Sequence, residues 1–130
     1  MRFLCAIAVL MAGLNSALAC EGTDGQRLQP ADAHQLDLYA RLGPIKVAQP
    51  FGFELFVCGD TRSVSQKVDV DAWMPAHQHG MNYTPTVTQR GANVFDVSNM
   101  VFHMPGAWQI KVSIETDAGR ELHLVDIRVR

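Results

Sequence analysis

The sequence predicts an all-β fold, an immunoglobulin-like antiparallel β-sandwich of about seven strands. Short stretches of the chain alternate between apolar and polar residues, most clearly over residues 108–115, and strict alternation is typical of a strand with one buried face. Turn-forming residues such as Gly43-Pro44 and Gly59-Asp60 separate these stretches. No sustained helical period follows the first nineteen residues. Strands of this length and spacing favour a sandwich, and a small open barrel is the alternative.

Each predicted strand buries every second side chain. The apolar positions are Leu36, Leu38 and Ala40, then Phe53, Leu55 and Val57, then Val68, Val70 and Ala72, and finally Trp108, Ile110, Val112 and Ile114. A last strand runs over residues 121–129, and its alternation slips near Leu124-Val125. A slip of one residue predicts a β-bulge at that point.

Five further side chains are assigned by their chemistry. Trp73, Trp108 and Met100 are predicted to fill the core, because large apolar side chains have the most surface to bury. His34 and His123 lie among polar strand positions, so both are predicted to be exposed to solvent.

The chain is divided by composition into a leader, a lead-in and one domain. Residues 1–19 have the layout of a signal peptide: one early positive charge, an apolar core and Ala17-Leu18-Ala19 as a cleavage site. The apolar core is shorter than the roughly 20 residues that span a bilayer. We therefore expect cleavage after Ala19, secretion to the periplasm and no transmembrane span in the mature chain. Residues 20–33 read as a loop-like lead-in, and residues 34–130 as the sandwich domain.

Two cysteines remain after the leader is removed. Cys20 and Cys58 most simply form one disulfide, because exported proteins reside in an oxidising compartment. Closing a loop of this length stabilises a fold by roughly 3–4 kcal/mol in the chain-entropy model. The alternative is a lipoprotein anchored at Cys20, which would leave Cys58 as a lone thiol.

The charge balance excludes one class of partner. Loss of Arg2 with the leader takes the formal net charge from −2 to −3, and the acidic residues are scattered rather than clustered. Neither nucleic acid nor an anionic membrane surface is expected to bind such a chain.

Two short stretches, residues 74–82 and 103–106, carry most of the chemically distinctive side chains. The predicted metal ligands are His77, His79, Met81, His103, Met104 and Met74. Imidazole nitrogen together with thioether sulfur suits copper, and the thioether favours Cu(I). If the first stretch is extended, the spacing of two places His77, His79 and Met81 on one side of it.

We expect the two stretches to meet at one edge of the sandwich. A distance of more than about 10 Å between the imidazoles of His79 and His103 would exclude a shared site, because metal–nitrogen bonds are near 2 Å long.

These two stretches resemble the YtkA-like and FixH-like group of bacterial exported domains. The shared pattern is M-P-x-x-x-H-G-M over residues 74–81, followed by an apolar residue and x-M-P-G-x-W over residues 102–108. The resemblance covers roughly residues 34–130. It implies an exported or membrane-tethered immunoglobulin-like sandwich associated with copper supply and assembly of respiratory oxidases. His77 and His103 go beyond the minimal motif, and the transmembrane helix of FixH-type proteins is missing here.

Three functions are weighed on this basis. The first is a periplasmic Cu(I) chaperone or buffer, with a copper-accepting or copper-donating envelope protein as its partner; a homodimer could complete the coordination. The second is a protein-interaction module that needs no metal. An enzyme ranks third and is not expected, because neither stretch contains a carboxylate to act as base and no nucleophile motif is present.

Overall fold

The structure is a computed structural model that describes residues 24–60 and 64–130. Within these residues it contains ten strands and no helix, which confirms the all-β prediction. The strands are β1 (Gln26–Arg27), β2 (Gln29–Pro30), β3 (Asp37–Leu42), β4 (Pro50–Cys58), β5 (Val64–Met74), β6 (His79–Gly80), β7 (Thr86–Gln89), β8 (Val94–Val101), β9 (Gly106–Thr116) and β10 (Gly119–Val129). Seven of them have four residues or more, in agreement with the predicted number. The expected leader and Cys20 lie outside the described residues.

The strands form two antiparallel five-stranded sheets that pack into an open sandwich. The first sheet has the order β1-β3-β4-β8-β7, and the second has the order β2-β10-β9-β5-β6. The chain therefore passes from the second sheet to the first between β6 and β7, and returns between β8 and β9. The first ligand stretch leads into the first of these crossings, and the second ligand stretch lies within the other.

The core lies between the sheets and is made by the residues that the alternation selects. The sequence predicts thirteen inward apolar positions between Leu36 and Ile114, and all of them are buried. Met100 is fully buried as well. Trp108 is also in the core, at 1% exposure. The prediction for Trp73 is wrong. Its neighbours Ala72 and Met74 point inward, so Trp73 lies on the outer face, where the ammonium of Lys111 sits 5.1 Å from its ring centroid.

The lead-in contributes structure to both sheets. β1 pairs with β3 and β2 pairs with β10, and Leu28 between them is 1% exposed. The sequence predicts a loop here because polar and turn-forming residues outnumber apolar ones. A single buried leucine and the open edges of the two sheets are enough to order this segment as edge strands.

The bulge predicted near Leu124-Val125 is absent. β10 pairs with β9 without interruption from Gly119 opposite Thr116 to Val129 opposite Gly106. Residues with odd numbers face inward throughout, including the polar Glu121 and His123. The apparent slip arises because Leu124, on the outer face, is apolar, whereas two inward residues before it are ionisable.

An irregularity of register lies instead between β4 and β8. Phe51 pairs with Met100 but Phe53 pairs with Val97, so β8 holds one residue more than β4 in this interval. Asn99 has φ of 62°, and asparagine tolerates this left-handed conformation better than most residues. A Cβ on Gly52, directly opposite, would lie 2.5 Å from the Val97 carbonyl oxygen. The bulge therefore changes the inward phase of the chain just before the second ligand stretch.

His123 is the largest departure from the sequence-based expectation of exposure. It is completely buried, whereas His34 is exposed as predicted. Its Nε2 lies 3.1 Å from a carboxylate oxygen of Glu121, and that carboxylate also accepts hydrogen bonds from the backbone N–H groups of Gln35 and Leu36. Because the carboxylate can only accept, Nε2 carries the proton, and Nδ1 has no partner among the described residues.

The described residues include no helix that is long and apolar enough to cross a bilayer.

We predict that His123 makes the fold less stable at mildly acidic pH. Burial is the main cause that lowers the pKa of His123, and the nearby His34 lowers it further, against the opposing effects of Glu121 and Asp37. The unfolded chain therefore takes up a proton below about pH 6.5 before the folded one does. The free energy of unfolding should fall as the pH drops below that value, by at most about 1.4 kcal/mol per pH unit from this group.

Chemical denaturation at pH 7.5, 6.5 and 5.5, in the presence of a metal chelator, measures this dependence. His123→Gln, which cannot titrate, should reduce the slope, and His77→Gln in an exposed turn should keep it. An equal slope in all three proteins would assign the acid sensitivity to a different group.

Candidate metal centre

The first ligand stretch forms a hairpin between β5 and β6. Trp73 pairs with Gly80 and Met74 pairs with His79, which leaves four residues, 75–78, as the turn. The backbone N–H of His77 donates to the Met74 carbonyl at 3.2 Å, with Pro75 at the second position of the turn, where its fixed φ is favoured. Gln78 adopts φ of 53° and leads the chain back into β6. The stretch is therefore folded, and the extended arrangement expected for His77, His79 and Met81 does not occur.

The hairpin register determines where His79 points. Residues directly opposite each other in an antiparallel pair place their side chains on the same face. Met74 faces the core at 1% exposure, so its partner His79 also projects towards the inner side of the sheet. Met81, two residues later, packs against the core as well. His77 remains exposed in the turn, with its ring centroid 5.8 Å from that of His79.

The second stretch lies in the crossing from β8 to β9. Phe102 is completely buried, and His103 follows it at the rim of the core, only partly covered. The ring centroids of His79 and His103 are 5.0 Å apart, which is well below the separation that would have excluded a shared site. The expected meeting of the two stretches at one edge of the sandwich is therefore observed.

Trp108, at the start of β9, lies beside both histidines. Its ring centroid is 5.7 Å from that of His79 and 5.3 Å from that of His103. On another side it stacks nearly parallel on Phe102, at 4.6 Å and 9°. Its indole N–H donates to the Met104 carbonyl at 3.0 Å. These contacts fix the crossing against the sheet and give the histidine pair an apolar aromatic wall.

The ring nitrogens of His79 and His103 differ in their hydrogen-bond partners. Nδ1 of His79 lies 3.1 Å from the Gly80 carbonyl oxygen, and because that oxygen can only accept, Nδ1 carries the proton. Nε2 of His79 then holds the lone pair, as in metal-binding histidines whose second nitrogen donates to a carbonyl. Nδ1 of His103 is buried without a partner among the described residues. An unsatisfied buried nitrogen is costly, typically by about 1–3 kcal/mol.

The three predicted methionine ligands occupy different surroundings. Met81 and Met104 are partly buried and pack against the core. Met74 is buried in the core, and its terminal methyl lies against Gly106. Met74 therefore supports the site by packing, and Met81 and Met104 are the thioethers with surface still open.

Over residues 24–60 and 64–130, no three His, Cys, Asp or Glu side chains converge closely enough to hold a metal ion by themselves. A metal at the histidine pair would therefore draw further ligands from thioether sulfur. A mixed nitrogen and sulfur set of this kind is soft, which is the character that Cu(I) prefers.

Both ligand stretches lie in a segment that matches the model of a known protein family. Residues 55–113 match the family model described as YtkA-like. This segment is YtkA-like. The resemblance inferred from the two motifs is thereby confirmed, and the match extends from the middle of β4 to the middle of β9. A search of curated proteins finds no match to the chain.

The structure describes one of the two cysteines of the predicted disulfide. Cys58, the last residue of β4, lies within the YtkA-like segment and is 5% exposed. Its predicted partner, Cys20, lies outside the described residues, so the pairing stays a prediction.

Two features of the site were not identified from the sequence. The aromatic wall formed by Trp108 depends on the packing of two sheets, and the motif indicates only that an aromatic follows Pro-Gly. The carbonyl that accepts the Nδ1 proton of His79 belongs to Gly80. The backbone of Gly80 runs so close to Ala72 that a Cβ at Gly80 would lie 3.2 Å from the Ala72 carbonyl oxygen. Glycine between the two candidate ligands is the sequence signal for this close approach.

We predict that Gly106→Ala destabilises the sandwich by about 1–3 kcal/mol. Gly106 has φ of 129°, and a Cβ there would come within 2.9 Å of the terminal methyl of Met74. Thermal unfolding measures the effect. The matched control is Gly91→Ala, because a Cβ at Gly91 meets nothing within 4 Å; equal losses in both variants would contradict the packing argument.

Proposed function

We propose that this protein binds Cu(I) at the end of its sandwich and exchanges it with a partner protein of the cell envelope. The observation that carries the proposal is the pair formed by His79 and His103, with ring centroids 5.0 Å apart. A hairpin of the second sheet and the crossing from β8 to β9 are brought together there, and each carries a partly exposed thioether, Met81 or Met104.

The state of the ring nitrogens supports a metal rather than a purely structural pair. His79 has its Nδ1 proton committed to a backbone carbonyl, which orients the ring and leaves Nε2 able to coordinate. The unpartnered Nδ1 of His103 would gain a partner if a metal bound to it. His79 does not supply that partner, because its own Nδ1 is engaged with the Gly80 carbonyl and Nδ1 of His103 has no hydrogen bond to any described residue.

The accompanying side chains favour Cu(I) over harder ions. Met81 and Met104 supply thioether sulfur, and neither ligand stretch contains a carboxylate. Mg²⁺ and Ca²⁺ require oxygen ligands, and thioether ligation selects Cu(I) among the transition metals. The site therefore resembles a copper-handling centre more closely than a hydrolytic zinc centre.

The position of the site suits exchange of the metal. His77 is exposed in the turn, 5.8 Å from His79 between ring centroids, and could accept an ion first and pass it inward. A ligand that stays in solvent gives an incoming protein a place to displace the metal stepwise. We infer a chaperone or buffer role in the periplasm, with a copper-donating or copper-accepting envelope protein as the partner.

We predict that replacing both His79 and His103 by alanine lowers the affinity for Cu(I) by more than about 100-fold, because loss of even an outer-shell partner often costs 10- to 100-fold. Competition of the purified protein against a chromogenic Cu(I) chelator measures the affinity. The matched control is His34→Ala, an exposed histidine outside the site, which should bind as the original protein does.

Circular dichroism of the double variant should show an intact sandwich, because both rings lie at the rim of the core. No Cu(I) binding by the original protein would refute the proposal and favour a metal-free interaction module. Unchanged binding by the double variant would place the copper elsewhere.

We predict that replacing Met81 and Met104 by leucine weakens Cu(I) binding and leaves Zn²⁺ binding nearly unchanged. Leucine keeps the volume and apolar character of methionine but removes the sulfur, so the fold should lose less than about 1.5 kcal/mol per site. Parallel titrations with the two ions measure the change. Met100→Leu, a fully buried methionine, is the control; equal loss for both ions would argue against thioether ligation.

A further inference from the structure

Trp108 and the two candidate histidines form a nearly equilateral triangle. The three distances between ring centroids are 5.0, 5.3 and 5.7 Å. An ion that binds both imidazoles on the side facing Trp108 would lie well within the distance of about 6 Å at which cations interact with an aromatic ring. Tryptophan is the aromatic residue with the strongest interaction of this kind.

The indole is held in place by contacts on its other sides. Trp108 is 1% exposed, stacks on Phe102, and donates its N–H to the Met104 carbonyl. The ring therefore cannot swing away to admit water next to the histidines without breaking a hydrogen bond and exposing the core. Its remaining surface near His79 and His103 is aromatic carbon, which offers no lone pair to a metal.

We propose that Trp108 is the residue that makes this site selective for Cu(I), by facing the bound ion with its indole ring. This inference rests on the proposed function, since it requires that an ion bind at the histidine pair. Trp108 acts here as a wall of the site and as a cation–π partner, and it donates no electron pair to the metal.

The selectivity follows from charge and coordination number. Zn²⁺ in proteins almost always takes four ligands, and an aromatic wall removes one direction from which water could complete that set. Cu(I) is content with fewer, softer ligands. Burying a doubly charged ion against apolar carbon also costs more than burying a singly charged one. The attraction of the ring thus offsets a larger part of the burial cost for a monovalent ion than for a divalent ion.

Fluorescence tests the proximity of the ring to the ion. The chain has two tryptophans, so Trp73→Phe leaves Trp108 as the only one. Titration of this variant with Cu(I), and with redox-inert Ag(I) as its substitute, should change the tryptophan emission in proportion to binding and saturate at one equivalent. In Trp108→Phe, the remaining Trp73 on the outer face of the sheet should respond much less.

Metal competition tests the selectivity. In Trp108→Phe, the ratio of the Cu(I) affinity to the Zn²⁺ affinity should fall, by up to about 30-fold, because phenylalanine attracts a cation more weakly than tryptophan does. Trp73→Phe is the matched control and should keep the ratio of the original protein. A tryptophan that only supports the fold would lower both affinities together and leave the ratio unchanged.

The outcomes separate this inference from the function on which it rests. If the original protein binds no Cu(I), the proposed function fails, and this inference fails with it. If Cu(I) binds in a manner that depends on His79 and His103, but the Trp108 emission stays constant, only the role of Trp108 is refuted. The fluorescence measurement uses a protein that retains Trp108, so it remains decisive even if Trp108→Phe does not fold.

Discussion

The burial of Trp108 is the constraint on which the ligand-bearing end of the molecule depends. Its indole stacks on Phe102 and donates a hydrogen bond to the Met104 carbonyl, so the crossing between the sheets is tied to the first residues of β9. The same ring contacts the imidazoles of His79 and His103. One side chain therefore links the hydrophobic core, the path of the chain between sheets and the position of both histidines.

Two backbone features bring the second stretch into the correct phase for this packing. The bulge at Asn99 adds a residue to β8 opposite Gly52, which turns Met100 and Phe102 towards the core. Phe95 and Val97 set an alternation in which odd-numbered residues face the core. Without the bulge, this alternation would continue and Met100 and Phe102 would face outward. The local irregularity thus places an aromatic ring beneath Trp108 and leaves the next residue at the rim.

His123 and His103 each have one ring nitrogen without a partner among the described residues, but their surroundings give them different roles. His123 is sealed in the core, and its other nitrogen is committed to Glu121, which in turn holds the backbone of Gln35 and Leu36. That network fastens the chain just before β3 to the second sheet. His103 instead lies beside a second imidazole at the partly exposed rim, and its own Nδ1 is buried without a partner among the described residues.

The sequence by itself determined the fold class, the inward positions of the main strands and the types of ligand available. Alternation with period two is a local property, and the two motifs are contiguous, so both can be read without a structure. The sequence misplaced His123, Trp73 and the bulge, because each depends on what packs against it: a buried carboxylate, an outer sheet face and a glycine across the ladder. Only the tertiary structure decided that His79, His103 and Trp108 meet, since residues far apart in sequence are joined there by the pairing of strands and the packing of two sheets.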